Sequence, residues 1–407
     1  MPSTRGKNAL RLFYFVHYAS FGIFLPFFPR WLEGRGLHGL AMGAVLAVVP
    51  AVGVLAPIAV GALADSLGLR AQLLRVAAIG AAVMLGLLAL LAAQQSSTAS
   101  ALEMVGYVLL VGLFALARTP LFGIADVVAL ESLGDDSAAF GRLRLFGSLG
   151  FVATAISIGF LIDVDGAVAF PTAIGGLYLA TFVAASWLPA RTTALPSTSW
   201  AALGEMKRHG AFFTMVALWQ LANSAYDSSY SFKVRDAGLT DRDAGWFWGV
   251  GVLAEVLLMA VAPLLLRRAT PTTLLVLGVG TSAIRWGLIA FASSFASLFA
   301  LQLLHAITFA LTWMVCNAHL RRLSAFGRIA TAQGALTTSV GVGSVIGMLA
   351  WPAVYARFGS EVTFVAAGLV AAVALCPALY AIRGGSSPSP TGAGLPSPQI
   401  SDQHAPQ

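Results

Sequence analysis

The stretch Gly61-Ala62-Leu63-Ala64-Asp65-Ser66-Leu67-Gly68-Leu69-Arg70 decides the fold. A carboxylate, glycines and an arginine interrupt an otherwise apolar region. The run upstream, 40–64, is almost uncharged, and so is the run downstream, 76–93. At ~1.5 Å per residue each is long enough to cross the hydrocarbon core of a bilayer. A short polar turn between two such runs is the connection of a membrane hairpin. Glycine lets the two helices approach closely. An aspartate at a helix start accepts backbone N–H groups, a contact suited to latching one conformation.

Composition agrees. Apolar residues make up 58% of the 407-residue chain and charged residues 10%, and the mean hydropathy is +0.83. A soluble domain carries about 25% charge. The net charge of +7 would point to nucleic acid in a soluble protein. In a membrane protein it reads instead as basic cytoplasmic loops, so no nucleic-acid partner is expected. Cys316 and Cys376 both fall in apolar runs and read as packing residues rather than a disulfide or a metal pair. The run from Ala9 to Phe28 is too long for a signal-peptide core and reads as the first membrane anchor.

Apolar runs of crossing length number twelve: 9–30, 40–64, 72–93, 101–130, 140–162, 167–188, 211–234, 243–266, 272–292, 296–320, 329–355 and 361–382. They divide into an N-terminal six-helix bundle (1–188), a linker (189–210), a C-terminal six-helix bundle (211–382) and a Pro/Ser/Gly-rich tail (383–407) expected to be disordered and cytoplasmic. Of the 24 lysines and arginines, sixteen fall on the side of the N-terminus, six on the other side, and Arg118 and Arg285 within the membrane. That bias places both termini in the cytoplasm. The halves echo each other. Gly53-Val54-Leu55-Ala56 in span 2 recurs as Gly251-Val252-Leu253-Ala254 in span 8, and Gly141-Arg142-Leu143 as Gly327-Arg328-Ile329. Two parallel repeats about a membrane-normal axis predict this. The fold class is therefore all-α integral membrane, with twelve transmembrane helices in two six-helix pseudo-symmetric bundles.

An ionisable side chain inside a span costs at least a few kcal/mol unless it faces a partner or a cavity. Glu103, Arg118, Asp126, Asp227, Glu255, Arg285 and His305 are the residues concerned. Span 7 sets Trp219, Gln220, Asn223, Tyr226, Asp227 and Tyr230 at three- and four-residue spacing, which forms one polar and aromatic stripe. The stripe fits either a solute cavity or an interhelical hydrogen-bond seam. Span 1 has a similar face in Tyr14, His17, Tyr18, Phe21 and Leu25, where His17 reads as a packed histidine. Glu255 has no partner nearby in sequence, and is either a coupling carboxyl or half of an ion pair. Arg285 stays protonated and needs an acid: Glu255 or Asp227 when empty, a substrate carboxylate when loaded. Arg118 and Asp126 lie two turns apart on one face, and Asp126 is equally placed to pair with Arg142 or Arg144.

Several motifs resemble the major facilitator superfamily. Gly61, Asp65, Gly68 and Arg70 fit its signature loop between helices 2 and 3, while Ser66 and Leu69 depart from it and thin its basic part. Gly141 to Phe151, Leu304-His305-Ala306-Ile307-Thr308-Phe309, Ala332-Gln333-Gly334 and Ala254-Glu255-Val256 are similar to the branch that includes the phenylpropionate permease. That branch is related to the lactose permease and to nucleoside–proton symporters. The resemblance covers most of 9–382. It implies that Asp126, Arg142 and Arg144 join the signature loop in a conformational gate. It implies that Arg118 stands where many facilitators carry an arginine linked to proton transfer. His305 is similar in place to the helix-10 histidine of the lactose permease, Glu255 to its helix-8 glutamate and Arg285 to its helix-9 arginine. Gln302 and Thr308 stand where that permease has a lysine and a glutamate, so the same sugar relay is not expected.

The sequence thus reads as a proton-coupled symporter of the inner membrane, monomeric, working by alternating access on a small organic solute. Glu255, Asp227, His305 and Arg118 are the proton-coupling candidates. Arg285, Trp219, Asn223, Tyr226, Tyr230, Tyr14 and Tyr18 are the substrate-binding candidates. An aromatic or other small carboxylate leads; a sugar or nucleoside, export of amphipathic compounds, and a non-transporting membrane sensor are the alternatives. No nucleophile–base cluster, metal-ligand spacing or phosphate loop is present, so neither an enzyme nor a cofactor is expected.

Overall fold

Helices account for nearly every residue that the computed structural model describes, namely 4–67, 70–95, 99–133, 137–161, 166–188, 207, 209–323 and 329–384. Seven helices make the first half: α1 (Thr4–Glu33), α2 (Gly39–Leu67), α3 (Arg70–Gln94), α4 (Ala101–Arg118), α5 (Pro120–Leu133), α6 (Ser137–Leu161) and α7 (Ala169–Ser186). The second half holds α8 (Gly210–Asp236), α9 (Asp241–Arg268), α10 (Pro271–Phe291), α11 (Phe295–Leu303), a π-helical turn (Ala306–Leu311), α12 (Thr312–Leu323) and α13 (Ile329–Gly384).

Ten of the described helical stretches are long and apolar enough to cross a membrane. Two adjustments turn ten into twelve crossings. The last stretch, Ala332–Tyr380, is two crossings, because α13 breaks at Gly359. There φ is 78° and ψ 179°, a conformation open to glycine and strained for other residues. The expected gap between 355 and 361 is thus a single-residue turn. Helix α8 is the other crossing. Its 27 residues suffice in length, but the serines, Gln220, Asn223 and Lys233 buried on it reduce its hydropathy. Span 4 is one crossing, Ala101–Leu133, with a step in its hydrogen-bond ladder. The step falls at Thr119, ahead of Pro120, whose ring nitrogen offers no N–H to continue the ladder.

Several helix starts carry side-chain oxygens that receive their free N–H groups. Ser100 and Glu103 form a capping box, as do Thr240 and Asp243. Glu103 is therefore a partly exposed cap at the mouth of span 4 and not a buried charge.

The two halves pack alike. Span 5 (α6) lies on span 1 (α1), and span 11 (the first part of α13) lies on span 7 (α8). Across the interface span 2 meets span 11, and span 5 meets span 8 (α9). These contacts run from mid-span to the end of the bundle opposite the N-terminus. There Glu33 and Arg235 pair, the second Glu33 oxygen accepting from Arg235 at 3.0 Å. Tyr355 joins Arg235 and Asp236, each at 3.1 Å. Deeper in, Ser231 donates to the carbonyl of Pro26. The end of the bundle away from the termini is thus bolted shut between the halves.

Candidate functional site

The stripe on α8 divides into two flanks. Trp219, Asn223, Tyr226 and Tyr230 fall within one narrow arc, and Trp219, Tyr226 and Tyr230 touch residues of spans 8 to 10. Gln220, Asp227 and Ser231 fall on the adjoining flank, where Ser231 touches span 1. Asp227 is partly buried and has no hydrogen-bond or ion-pair partner among the described residues.

Arg285 is the centre of the first flank. It is fully buried, at 0% exposure. Its Nε donates to the carbonyl of Leu301 at 3.0 Å. One terminal nitrogen donates to His305 Nδ1 at 3.0 Å and to Thr308 Oγ1 at 2.9 Å. The other donates to Gln302 Oε1 at 2.9 Å. Four of the five guanidinium N–H donors are therefore occupied. The cation also lies 5.1 Å from the Tyr226 ring centre and 4.6 Å from that of Trp286. Gln302 in turn receives Tyr226 OH at 3.1 Å and donates to Tyr230 OH. Gln302 and Thr308, the two departures from the lactose permease pattern, are thus the polar side chains that hold Arg285.

His305 Nε2 lies 2.8 Å from Glu255 Oε1. The link between Glu255 and Arg285 expected from sequence exists, but it runs through the histidine ring. The donors fix the tautomer. A guanidinium can only donate, so Nδ1 accepts from Arg285. Nε2 then carries the ring hydrogen and donates to Glu255. The ring is neutral, and Glu255 Oε2 is left as the atom at which a proton can add without breaking the His305 contact. Both side chains keep a small accessible area, 12% for His305 and 14% for Glu255.

A π-helical turn follows His305 directly. Its wider winding breaks the usual register of span 10: Thr312 Oγ1 bonds the carbonyl five residues back, on Ile307. The carbonyl of Thr308 accepts from Trp219 Nε1 at 2.9 Å. Phe309 stacks on His305 and on Trp219. Gly251 supplies the space beside the ring, since a Cβ there would lie 3.2 Å from His305 Cδ2. That glycine opens the Gly-Val-Leu-Ala repeat ahead of Glu255.

The first half has its own polar centre. Arg118 ends α4 with four phenylalanine rings around its guanidinium: Phe21 at 4.9 Å, Phe24 at 5.3 Å, Phe114 at 5.4 Å and Phe122 at 6.0 Å. Tyr178 is its hydroxyl neighbour. No carboxylate pairs with it among the described residues. Asp126, expected on the same face, turns elsewhere. It accepts from Tyr14 OH and lies 3.6 Å from Arg144, so of the two arginines weighed for it Arg144 has the contact. Arg142 is exposed. Tyr18 stacks on Tyr14. His17 is packed as expected, at 1% exposure, but neither ring nitrogen has a hydrogen-bond partner among the described residues. The side chains of Gly61, Asp65, Gly68 and Arg70, and the backbone of Gly68, lie outside the described residues.

Trp248, Trp286, Phe309, Phe114, Phe122 and Tyr178 were not singled out from sequence. Phe114 and Phe122 carried a readable signal: they flank Arg118 at i−4 and i+4, on its own face. The break at Thr119 does not remove either from the guanidinium.

A sequence model of the MFS_1 like family matches residues 8–366. The chain belongs to that family. It is a secondary transporter of the major facilitator superfamily, a multi-pass membrane protein that moves small molecules. Among curated proteins it is similar to a probable 3-phenylpropionic acid transporter of Escherichia coli (strain K12), 29% identical over 336 residues, which cover 80% of this chain and 82% of the relative. It is also similar to the putative nucleoside transporter YegT of the same organism, 25% identical over 356 residues, covering 82% and 80% of the two chains. Among solved structures, a mutant form of the nucleoside transporter NupG matches with a TM-score of 0.82 at 15% identity, over 92% of this chain and 99% of that one. At that identity the likeness shows the shared major facilitator fold. The relatives are transporters, as the expectation of a non-enzyme requires.

Proposed function

We propose that this facilitator is a proton-coupled symporter of the inner membrane, with both termini cytoplasmic, that takes up a small organic carboxylate. The observation that carries the coupling is the chain Glu255–His305–Arg285. The Glu255 carboxylate lies across one histidine from a buried guanidinium. A proton at Oε2 cancels its charge and weakens its hold on the His305 ring. Glu255 is on span 8, Arg285 on span 9 and His305 on span 10, so protonation alters how three helices of the second half are tied. Such a change can bias the rocking of one bundle on the other.

The substrate class is supported by the 3-phenylpropionic acid transporter among the relatives and by Arg118, which lies among aromatic rings with no carboxylate partner among the described residues. A nucleoside is the second reading. It is favoured by the YegT likeness and by the buried Asn223, whose amide nitrogen lacks a partner among the described residues. With the N-terminus cytoplasmic, the bolted end faces outward, and the structure corresponds to a state closed to the outside.

Proteoliposomes with an imposed pH gradient test the coupling. The variant Glu255→Gln copies the neutral acid in shape. It should lose uphill uptake while still exchanging substrate down its gradient. Uphill uptake with an intact pH response in this variant would overturn the assignment and move the role to Asp227.

A further inference from the structure

A half-buried arginine and a buried histidine in the first half carry buried nitrogens with no hydrogen-bond partner among the described residues. Arg118 carries a full charge, yet aromatic rings and one tyrosine hydroxyl are its surroundings, and its Nη1 has no acceptor among the described residues. His17 sits beside it in the same aromatic cluster, against Phe21 and Phe122 at ring-centre distances of 5.4 Å and 4.8 Å. Neither of its nitrogens has a hydrogen-bond partner among the described residues. Aromatic faces attract a cation but do not replace an anion or a hydrogen-bond acceptor. The second half is the opposite case. Arg285 is closed on all sides, with four donors spent on protein oxygens and nitrogen. Replacing those contacts with a ligand would break the tie to Glu255. The Arg118 side chain is half-buried, and its partnerless Nη1 is itself covered, so a ligand reaches that edge only when the rings around it part.

From this contrast we propose that Arg118 and His17, not Arg285, form the anion-binding subsite, and that it receives the carboxylate of an aryl-bearing monocarboxylic acid. One carboxylate oxygen accepts from the free Arg118 edge, and the other from the hydrogen-bearing nitrogen of His17. The aryl group then meets Phe21, Phe122 and their neighbours. Arg285 acts as a positioning residue for the Glu255–His305 pair. The two bundles thereby divide the labour: the first binds the anion, the second holds the proton. This assignment rests on the carboxylate reading above.

The test uses the purified full chain in nanodiscs. Equilibrium binding is measured for 3-phenylpropionate, its amide, and a panel of benzoate, cinnamate and hexanoate. Melting temperature is recorded for every variant. R118Q should weaken 3-phenylpropionate binding by about tenfold to a hundredfold, the size of a lost charge-assisted contact. It should change amide binding far less. R118K, which keeps the charge but loses the planar fork, should fall between and serves if R118Q is unstable. R285Q should weaken acid and amide alike. Equal losses for acid and amide in both Arg118 variants would overturn the subsite, as would loss of acid preference in R285Q alone. If the wild type binds none of the acids, the carboxylate reading itself fails and the subsite falls with it. If it binds them and the Arg118 variants keep the acid preference, only the subsite falls.

Discussion

Gly245 is the sharpest lever on the two halves. It sits early in α9, in the second half, and faces α6 of the first. A Cβ at this position would lie 2.1 Å from the carbonyl oxygen of Ala155 and 3.2 Å from its carbon. Real contacts of this kind do not fall below about 3 Å, so α9 and α6 would have to part by roughly an ångström. Overpacking of this kind costs ~1–3 kcal/mol. The cost applies only where the outer ends of the two halves meet, so it works against that state alone. At ~1.4 kcal/mol per decade, Gly245→Ala should move the closed-to-open ratio by about 5-fold to about 140-fold. Spin labels at Leu161 and Phe358, both exposed at that end and one on each half, report it by pulsed electron resonance. The exposed Cys376 is replaced first. The expected result is growth of a longer-distance population. Gly150→Ala is the control. Its Cβ would meet the carbonyl of Phe15 at 2.0 Å, within the first half. It should lower the melting temperature without lengthening the distance. A distance distribution in folded Gly245→Ala that matches the wild type, or an equal shift in Gly150→Ala, would refute the reasoning.

Two further changes separate latch from scaffold. Glu33→Gln weakens the bolt to Arg235, but Arg235 is 41% exposed, so the pair contributes ~0.2–1 kcal/mol and the same labels should show at most about a 5-fold shift; a larger shift would mean that the bolt is not solvent-screened. Gln302→Leu removes an acceptor from Arg285 and the partner of Tyr226 and Tyr230; it should cost ~1.5–3 kcal/mol in a denaturant titration while leaving the preference for acid over amide unchanged.

The fold was legible because a bilayer constrains a chain so heavily. Twelve runs and a repeated tetrapeptide needed only the period and length of a membrane helix. Partner assignments were less legible. Sequence distance does not say that Asp126 meets Arg144 and Tyr14 while Arg118 meets phenylalanines from span 1. Nor does it say that Gln302 and Thr308 bind Arg285, since an amide and a hydroxyl look unremarkable beside missing charges. The π-helical turn after His305 leaves no pattern in the hydrophobic period of span 10. The break of α13 at Gly359 reads as a longer loop in the sequence because a single left-handed glycine looks like any glycine in a membrane run. Glu103 shows the converse: it reads as a charge within span 4, although Ser100 three residues earlier carries the signature of a capping box at a span mouth.

Charge counting connects the two centres and distinguishes the substrate classes. Arg285 and Glu255 cancel in the empty protein, and Arg118 remains as an uncancelled positive charge. A monocarboxylate at Arg118 cancels it, and a proton at Glu255 restores one positive charge to the whole. The cargo, one anion with one proton, carries no net charge across the membrane. A potential of 100 mV is worth ~2.3 kcal/mol per net charge moved, or about a 50-fold change in accumulation. For a carboxylate that contribution vanishes and the pH gradient alone drives uptake. For a neutral nucleoside with one proton it is present in full. Proteoliposomes loaded with potassium and treated with valinomycin set the potential independently of pH. Under the carboxylate reading, imposing 100 mV at equal pH should leave accumulation unchanged, and a tenfold proton gradient should raise it about tenfold. A response of tens of fold to the potential would show that the transported unit is charged, which a monoanion accompanied by one proton is not.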